Sequence, residues 1–143
     1  MPLIVKRKEY RYMQGNVKVR ELLIKTNGKD EFFTEEGCFI LEIWNAPEDE
    51  EVSIARARVR PGITTVFHRL KGTVERYVIM EGTGLVEVGD LPPTEVVPGD
   101  VVIIPRNTPQ RITNTGDGDL IFLCICTPRF VPEEYETMGN LPQ

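Results

Sequence analysis

Histidine is the scarcest chemically useful residue in this chain: there is one, His68, among 143 residues. A site that needs two or three imidazoles from a single subunit is therefore excluded. Cysteine is nearly as sparse, and Cys38, Cys124 and Cys126 make an odd set whose last two members a strand would place on one face. A disulfide framework is not expected, and a reducing cytoplasm suits the thiols better. No apolar run is long enough for a membrane span or a signal-peptide core; the opening run ends at Lys6. A cationic excess is absent as well. Seventeen Lys and Arg against 22 Asp and Glu leave a net charge of −5, which argues against a nucleic-acid partner held by counterion release. The expectation is a soluble cytoplasmic protein with neither nucleic acid nor membrane as a partner.

What is present is an ordinary globular composition, 41% apolar and 27% charged, on a chain long enough for one domain with a real core. The charge is uneven: residues 1–30 carry eight basic side chains, and residues 31–55 carry eight acidic and no basic ones. A solvated face accounts for this, and pairing of the two segments is the sharper alternative. Turn signals recur at short intervals, among them Pro61-Gly62, Gly82-Thr83-Gly84, Pro98-Gly99-Asp100 and Asp117-Gly118-Asp119. Between them lie strand-length runs at 52–59, 76–80, 84–88, 95–97, 101–104 and 120–126, none long enough for an amphipathic helix. The pattern predicts an all-β sandwich or barrel in which Gly82-Thr83-Gly84 and Asp117-Gly118-Asp119 are hairpin turns. Only Val131 to Met138 offers a turn or two of helix.

In Leu120 to Cys126 both faces are apolar, and Val101 to Ile104 reads the same way, so both sides of these strands need cover. The organisation expected is an N-terminal arm over 1–50 packing on the barrel or on a partner subunit, a barrel over 51–130, and a tail over 131–143. A homodimer is the expected assembly.

Two stretches carry chemistry. Gly62, His68, Leu70, Glu75 and Gly82 are spaced as in G-x5-H-x-H-x(3,4)-E-x6-G, and Gly99, Pro105, Asn107, Gln110 and Asn114 as in G-x5-P-x-G-x2-H-x3-N. Both in order resemble the two motifs of the cupin superfamily, over roughly residues 52–130. The resemblance implies a double-stranded β-helix, or jelly-roll barrel, with a metal or small-molecule site inside. Where the family pattern has its second and third histidines this chain has Leu70 and Gln110, and Asn107 replaces a glycine. Of the four metal-binding positions His68 and Glu75 are kept, Gln110 is an amide substitute, and Leu70 cannot ligate.

Strand periodicity puts His68 with Leu70 on one face and Glu75 with Tyr77 on another; if these faces line the interior, His68, Glu75, Tyr77 and Gln110 share a pocket. Three functions remain open. The first is a metal enzyme acting on a small polar metabolite, with His68, Glu75 and Gln110 holding a divalent ion (Mn, Fe, Zn or Ni) weakly and Tyr77 as acid or base. The second is a metal-free His/Tyr isomerase in which Glu75 orients His68. The third is a non-catalytic binding or sensing module whose ligand sits among Leu70, Tyr77, Ile79 and Phe122. Arg56 and Arg58 either face solvent or clamp an anion at the barrel mouth, and Cys124 and Cys126 are buried small apolar residues.

Overall fold

Alternating residues between glycine and proline turns produce strands and little else. The computed structural model describes residues 3–4 and 19–139. Its strands are β1 (Leu3–Ile4), β2 (Leu22–Leu23), β3 (Phe32–Phe33), β4 (Phe39–Trp44), β5 (Ser53–Val59), β6 (His68–Leu70), β7 (Val74–Glu81), β8 (Gly84–Val88), β9 (Thr94–Val96), β10 (Val101–Ile104), β11 (Gln110–Asn114), β12 (Leu120–Thr127) and β13 (Tyr135–Thr137). Apart from a small parallel β1–β2 pair, they form two antiparallel sheets, ordered β10-β7-β12-β5-β4-β3 and β13-β6-β11-β8-β9. This is the expected jelly roll. No helix among the described residues is long and apolar enough to cross a membrane.

The period-2 pattern sorts the side chains as expected. Glu75, Tyr77 and Ile79 of β7, Gln110, Ile112 and Asn114 of β11, and His68 and Leu70 of β6 are buried, while their neighbours along each strand are partly exposed. Val59, Ile79, Val86, Ile112 and Leu120 pack into an apolar core. Ile79 thus belongs to that core and does not line the polar part of the interior, unlike Leu70, Tyr77 and Phe122.

Two turns expected as hairpins prove to be corners. Residues 82–83 join β7 to β8 and residues 115–119 join β11 to β12, and in each case the strands belong to different sheets. The corners are packed against each other: a Cβ on Gly82 would lie 2.6 Å from the Asp119 carbonyl oxygen. Asn114 anchors the second corner, donating from Nδ2 to the carbonyls of Val59 and Gly118 (both 2.8 Å) and accepting from the Gly116 N–H. Asn107 has φ +62°, a left-handed conformation that Asn tolerates better than most residues, which explains why it can stand where the motif has glycine.

The tail differs from the helical expectation. One 3-10 turn at Pro132–Glu134 leads into β13, which pairs with β6 so that Tyr135 lies opposite Leu70. The helical option loses because an unpaired edge of β6 offers backbone partners to an extended segment. At the other end β3 and β4 extend the larger sheet beyond β5. Arg56 and Arg58 lie on its outer face, paired with Glu31, and Arg58 also meets Asp119 at 3.2 Å, so they are not an interior anion clamp. Of the acidic segment, Glu31 pairs with Arg56 and Arg58; of the expected partner segment 1–30, the basic residues at 6–18 lie outside the described residues. The outward side of edge strand β10 is uncovered, with Val101 56% and Ile103 63% exposed.

Gly82 and Gly99 both have positive φ, +82° and +96°, but nothing lies within 4 Å of a Cβ built on Gly99. Gly82→Ala should therefore cost about 2 kcal/mol or more, against about 1 kcal/mol for Gly99→Ala, by urea unfolding. Equal losses would contradict the corner-to-corner packing.

Candidate functional site

A buried amide organises the barrel interior. Gln110 on β11 is opposite His68 on β6, and from this sheet its side chain reaches β7 in the other sheet. There it bridges two residues of one face: the Tyr77 hydroxyl donates to Gln110 Oε1, and Gln110 Nε2 donates to Glu75 Oε1 at 2.8 Å. The Cys126 thiol, opposite Glu75 in the β7–β12 ladder, donates to Glu75 Oε2 at 3.8 Å. Donors thus run in one direction and converge on the carboxyl group. Tyr77 also packs on Phe122, with ring centroids 4.5 Å apart.

Burial pushes the Glu75 carboxyl up to about 7, with the positive potential of His68 and the Gln110 hydrogen bond opposing the rise. Burial raises the Tyr77 hydroxyl further, reinforced by the charge of Glu75, so it stays protonated and acts as a donor. The Cys126 thiol is likewise held neutral, by burial and then by Glu75.

His68 has different partners. Its Nδ1 lies 2.8 Å from the Val66 carbonyl, which can only accept, so that nitrogen carries a proton. Its Nε2 lies 3.3 Å from Glu36 Oε1, and its ring stacks on Tyr135 with centroids 5.1 Å apart. Glu36, not Glu75, is therefore the carboxylate that orients the imidazole. The turn between β3 and β4 delivers it: Gly37 takes φ +93°, Thr34 N–H donates to the Cys38 carbonyl, and the Glu36 carbonyl accepts from Val66 N–H. The Cys38 thiol donates to Glu36 Oε2 at 3.4 Å.

Next to these groups is a cavity of about 320 Å³. His68, Glu75 and Tyr77 line it, together with Leu70, Phe122 and Cys124. Gln110 lies behind the wall, fully buried. The four positions singled out by sequence are thus brought together as one triad, Glu75–Gln110–Tyr77, with His68 held separately.

Glu36 and Tyr135 were missed. Glu36 is one of eight acidic residues in a run that reads as a solvated face, and only the glycine after it marks a turn. Tyr135 lies in the segment that reads as helix.

As they stand, the donors do not fit a metal ion. Gln110 Oε1, the one amide atom able to ligate, accepts from Tyr77; both Glu75 oxygens accept from protein donors; and His68 Nε2 faces Glu36. Among the described residues no three His, Cys, Asp or Glu side chains converge as a metal-binding group.

The Glu75 shift has a thermodynamic consequence. A carboxyl raised from 4.5 to about 7 on folding binds its proton more tightly in the native state. That stabilisation is complete below the unfolded value and is lost as pH rises through about 7, a change on the order of 3 kcal/mol. Glu75→Gln should remove this component, so its stability relative to the parent rises between pH 4.5 and 7 in urea titrations. A pH-independent difference would contradict the assignment. Tyr77→Phe, which orphans Gln110 Oε1, should cost about 1–3 kcal/mol in the same measurement.

Residues 55–126 match the cupin domain family. The chain is 34% identical over 109 residues to an uncharacterized protein of Methanocaldococcus jannaschii, covering 75% of this chain and 86% of that one. Among solved structures it is similar to oxalate decarboxylase from Bacillus subtilis, with TM-score 0.67 and 21% identity over 77% of this chain and 30% of that one. It is equally similar to the Streptomyces nucleoside dehydratase Pac13, with TM-score 0.67 and 13% identity over 82% of this chain and 92% of that one. At these identities the structural likenesses establish the fold alone. Motif spacing, sheet topology and family match agree: the chain belongs to the cupin family.

Proposed function

We propose that the barrel interior binds a small molecule and handles protons on it with side chains of this chain rather than with a resident metal. The observation that carries this reading is the roughly 320 Å³ cavity walled by His68, Glu75 and Tyr77, whose donor atoms are already committed to one another or to Glu36. A titratable carboxyl near neutrality and an oriented imidazole lining one cavity are the kind of groups that acid–base chemistry uses. In this reading His68 exchanges a proton with the ligand, Glu36 holds the ring, and Tyr77 keeps Gln110 and Glu75 in place as a positioning residue. Oxalate decarboxylase and the nucleoside dehydratase Pac13 act on small molecules with the same fold, which supports the reading. A reducing cytoplasm suits the reading, because it keeps the Cys126 thiol available to Glu75.

Ligands that bind only the folded state raise its melting temperature. A thermal-shift panel of small metabolites should yield at least one stabilising compound with the parent protein and a smaller shift or none with Ala55→Leu, which intrudes into the cavity from β5 while leaving every polar group in place. Protein purified without an affinity tag should carry only substoichiometric Mn, Fe, Zn or Ni. One firmly held ion per chain, lost in His68→Ala, would overturn the metal-free reading.

The same proposal includes a homodimer. Its support is the β10 edge, where Val101 and Ile103 are 56% and 63% exposed and Val101, opposite Val78, is diagonal to Met80, itself 50% exposed on β7. Sedimentation equilibrium should give a dimer for the parent chain and a monomer for Ile103→Glu; a monomeric parent would refute it.

A further inference from the structure

The charges around the cavity specify which ligands it favours. Four carboxylates line it, Glu35, Glu36, Glu42 and Glu75, and among the described residues no Lys or Arg does. Arg56 and Arg58 lie on the outer face and are taken up by Glu31 and Asp119, and Arg129 donates to Oδ1 of Asn45, a lining residue, at 2.9 Å without lining the cavity itself. An incoming anion would have to compete with Glu36 for the His68 ring, because Nδ1 is held by the Val66 carbonyl and Nε2 faces Glu36 Oε1 at 3.3 Å. A carboxylate ligand would meet acidic groups with no Lys or Arg among the lining residues to offset them.

The aromatic lining points the same way independently. Tyr77, Phe122 and Tyr135 present rings to the cavity, and an aromatic face attracts a cation through its quadrupole. Glu36 sits at the seam between these walls, facing His68 beside the stacked Tyr135 ring, with its side chain 21% exposed. Its carboxylate meets the imidazole, the Cys38 thiol and the Tyr135 hydroxyl, and of its roughly four lone-pair positions it keeps capacity for a ligand N–H. The negative potential reaches deep into the barrel: Glu36 and Glu75 both raise the Tyr77 hydroxyl, after burial as the main cause.

We propose that the cavity takes a small organic ammonium ion, its apolar body against the aromatic and aliphatic wall and its charged nitrogen at Glu36, and discriminates against carboxylates of the same shape. This rests on the small-molecule reading above and narrows it. Glu36 becomes the specificity-determining residue, supplied from the β3–β4 turn, outside the 55–126 region that matches the family.

The test uses three probes of one shape: benzylamine, benzyl alcohol and benzoate, titrated into the full chain by calorimetry at slightly alkaline pH. Benzylamine should bind about tenfold or more tighter than benzoate, with the alcohol between them. In Glu36→Gln the benzylamine affinity should fall about tenfold while benzyl alcohol binding is unchanged, which also shows that the variant is folded. Benzoate binding as tightly as benzylamine, or an amine preference that survives Glu36→Gln, would overturn the ammonium assignment and leave the pocket reading standing. Failure of all three probes, with the parent and Ala55→Leu responding alike, would overturn both.

Discussion

A polar group placed inside a closed sheet must find a partner there, because water is largely excluded and an unmet donor or acceptor costs about 1–3 kcal/mol. In this barrel that constraint is met by one amide. Gln110 takes the Tyr77 proton donor on one atom and gives its own to Glu75 on the other, so three side chains from two sheets are fixed at once. The arrangement sets the orientation of each group and leaves the cavity beside them open. It also explains why a carboxyl can sit so deep: its two oxygens are served by Gln110 and Cys126, and its remaining desolvation is expressed as a weakened acidity.

The barrel wall accounts for only part of the site. Glu36 comes from the β3–β4 turn and Tyr135 from β13, and both lie outside the segment that matches the cupin domain. The shared scaffold therefore brings His68 inward, while flanking strands decide what its imidazole faces and what stacks on its ring. Elements added at sheet edges can alter chemistry without disturbing the ladders that hold the fold, which is one physical reason a single architecture carries unrelated activities.

Much of the scaffold was legible in the residues themselves. The spacing of Gly62, His68, Glu75, Gly82, Gly99, Gln110 and Asn114 indicated the fold, and alternation along the strands indicated which side chains turn inward. Partner choice was not legible in the same way. Gly82-Thr83-Gly84 has the composition of a hairpin turn, yet a turn's residues do not reveal whether the next strand pairs with the last or crosses to the other sheet. Tyr135 pairs as a strand because β6 has a free edge, a fact of tertiary structure. Glu36 is chemically indistinguishable from its acidic neighbours until the turn at Gly37 aims it at His68. The candidate ligands His68, Glu75 and Gln110 were found as positions, but their engagement with one another depends on geometry that spacing does not encode.

The most direct test of the central idea, an interior organised by hydrogen bonds around a near-neutral carboxyl, is carbon NMR of the Glu75 side-chain carboxyl followed against pH. The account predicts a midpoint at about 7 that stoichiometric Zn(II) does not move. A midpoint in the ordinary carboxylate range, or a carboxyl forced into its charged form as soon as one equivalent of metal is added, would contradict it.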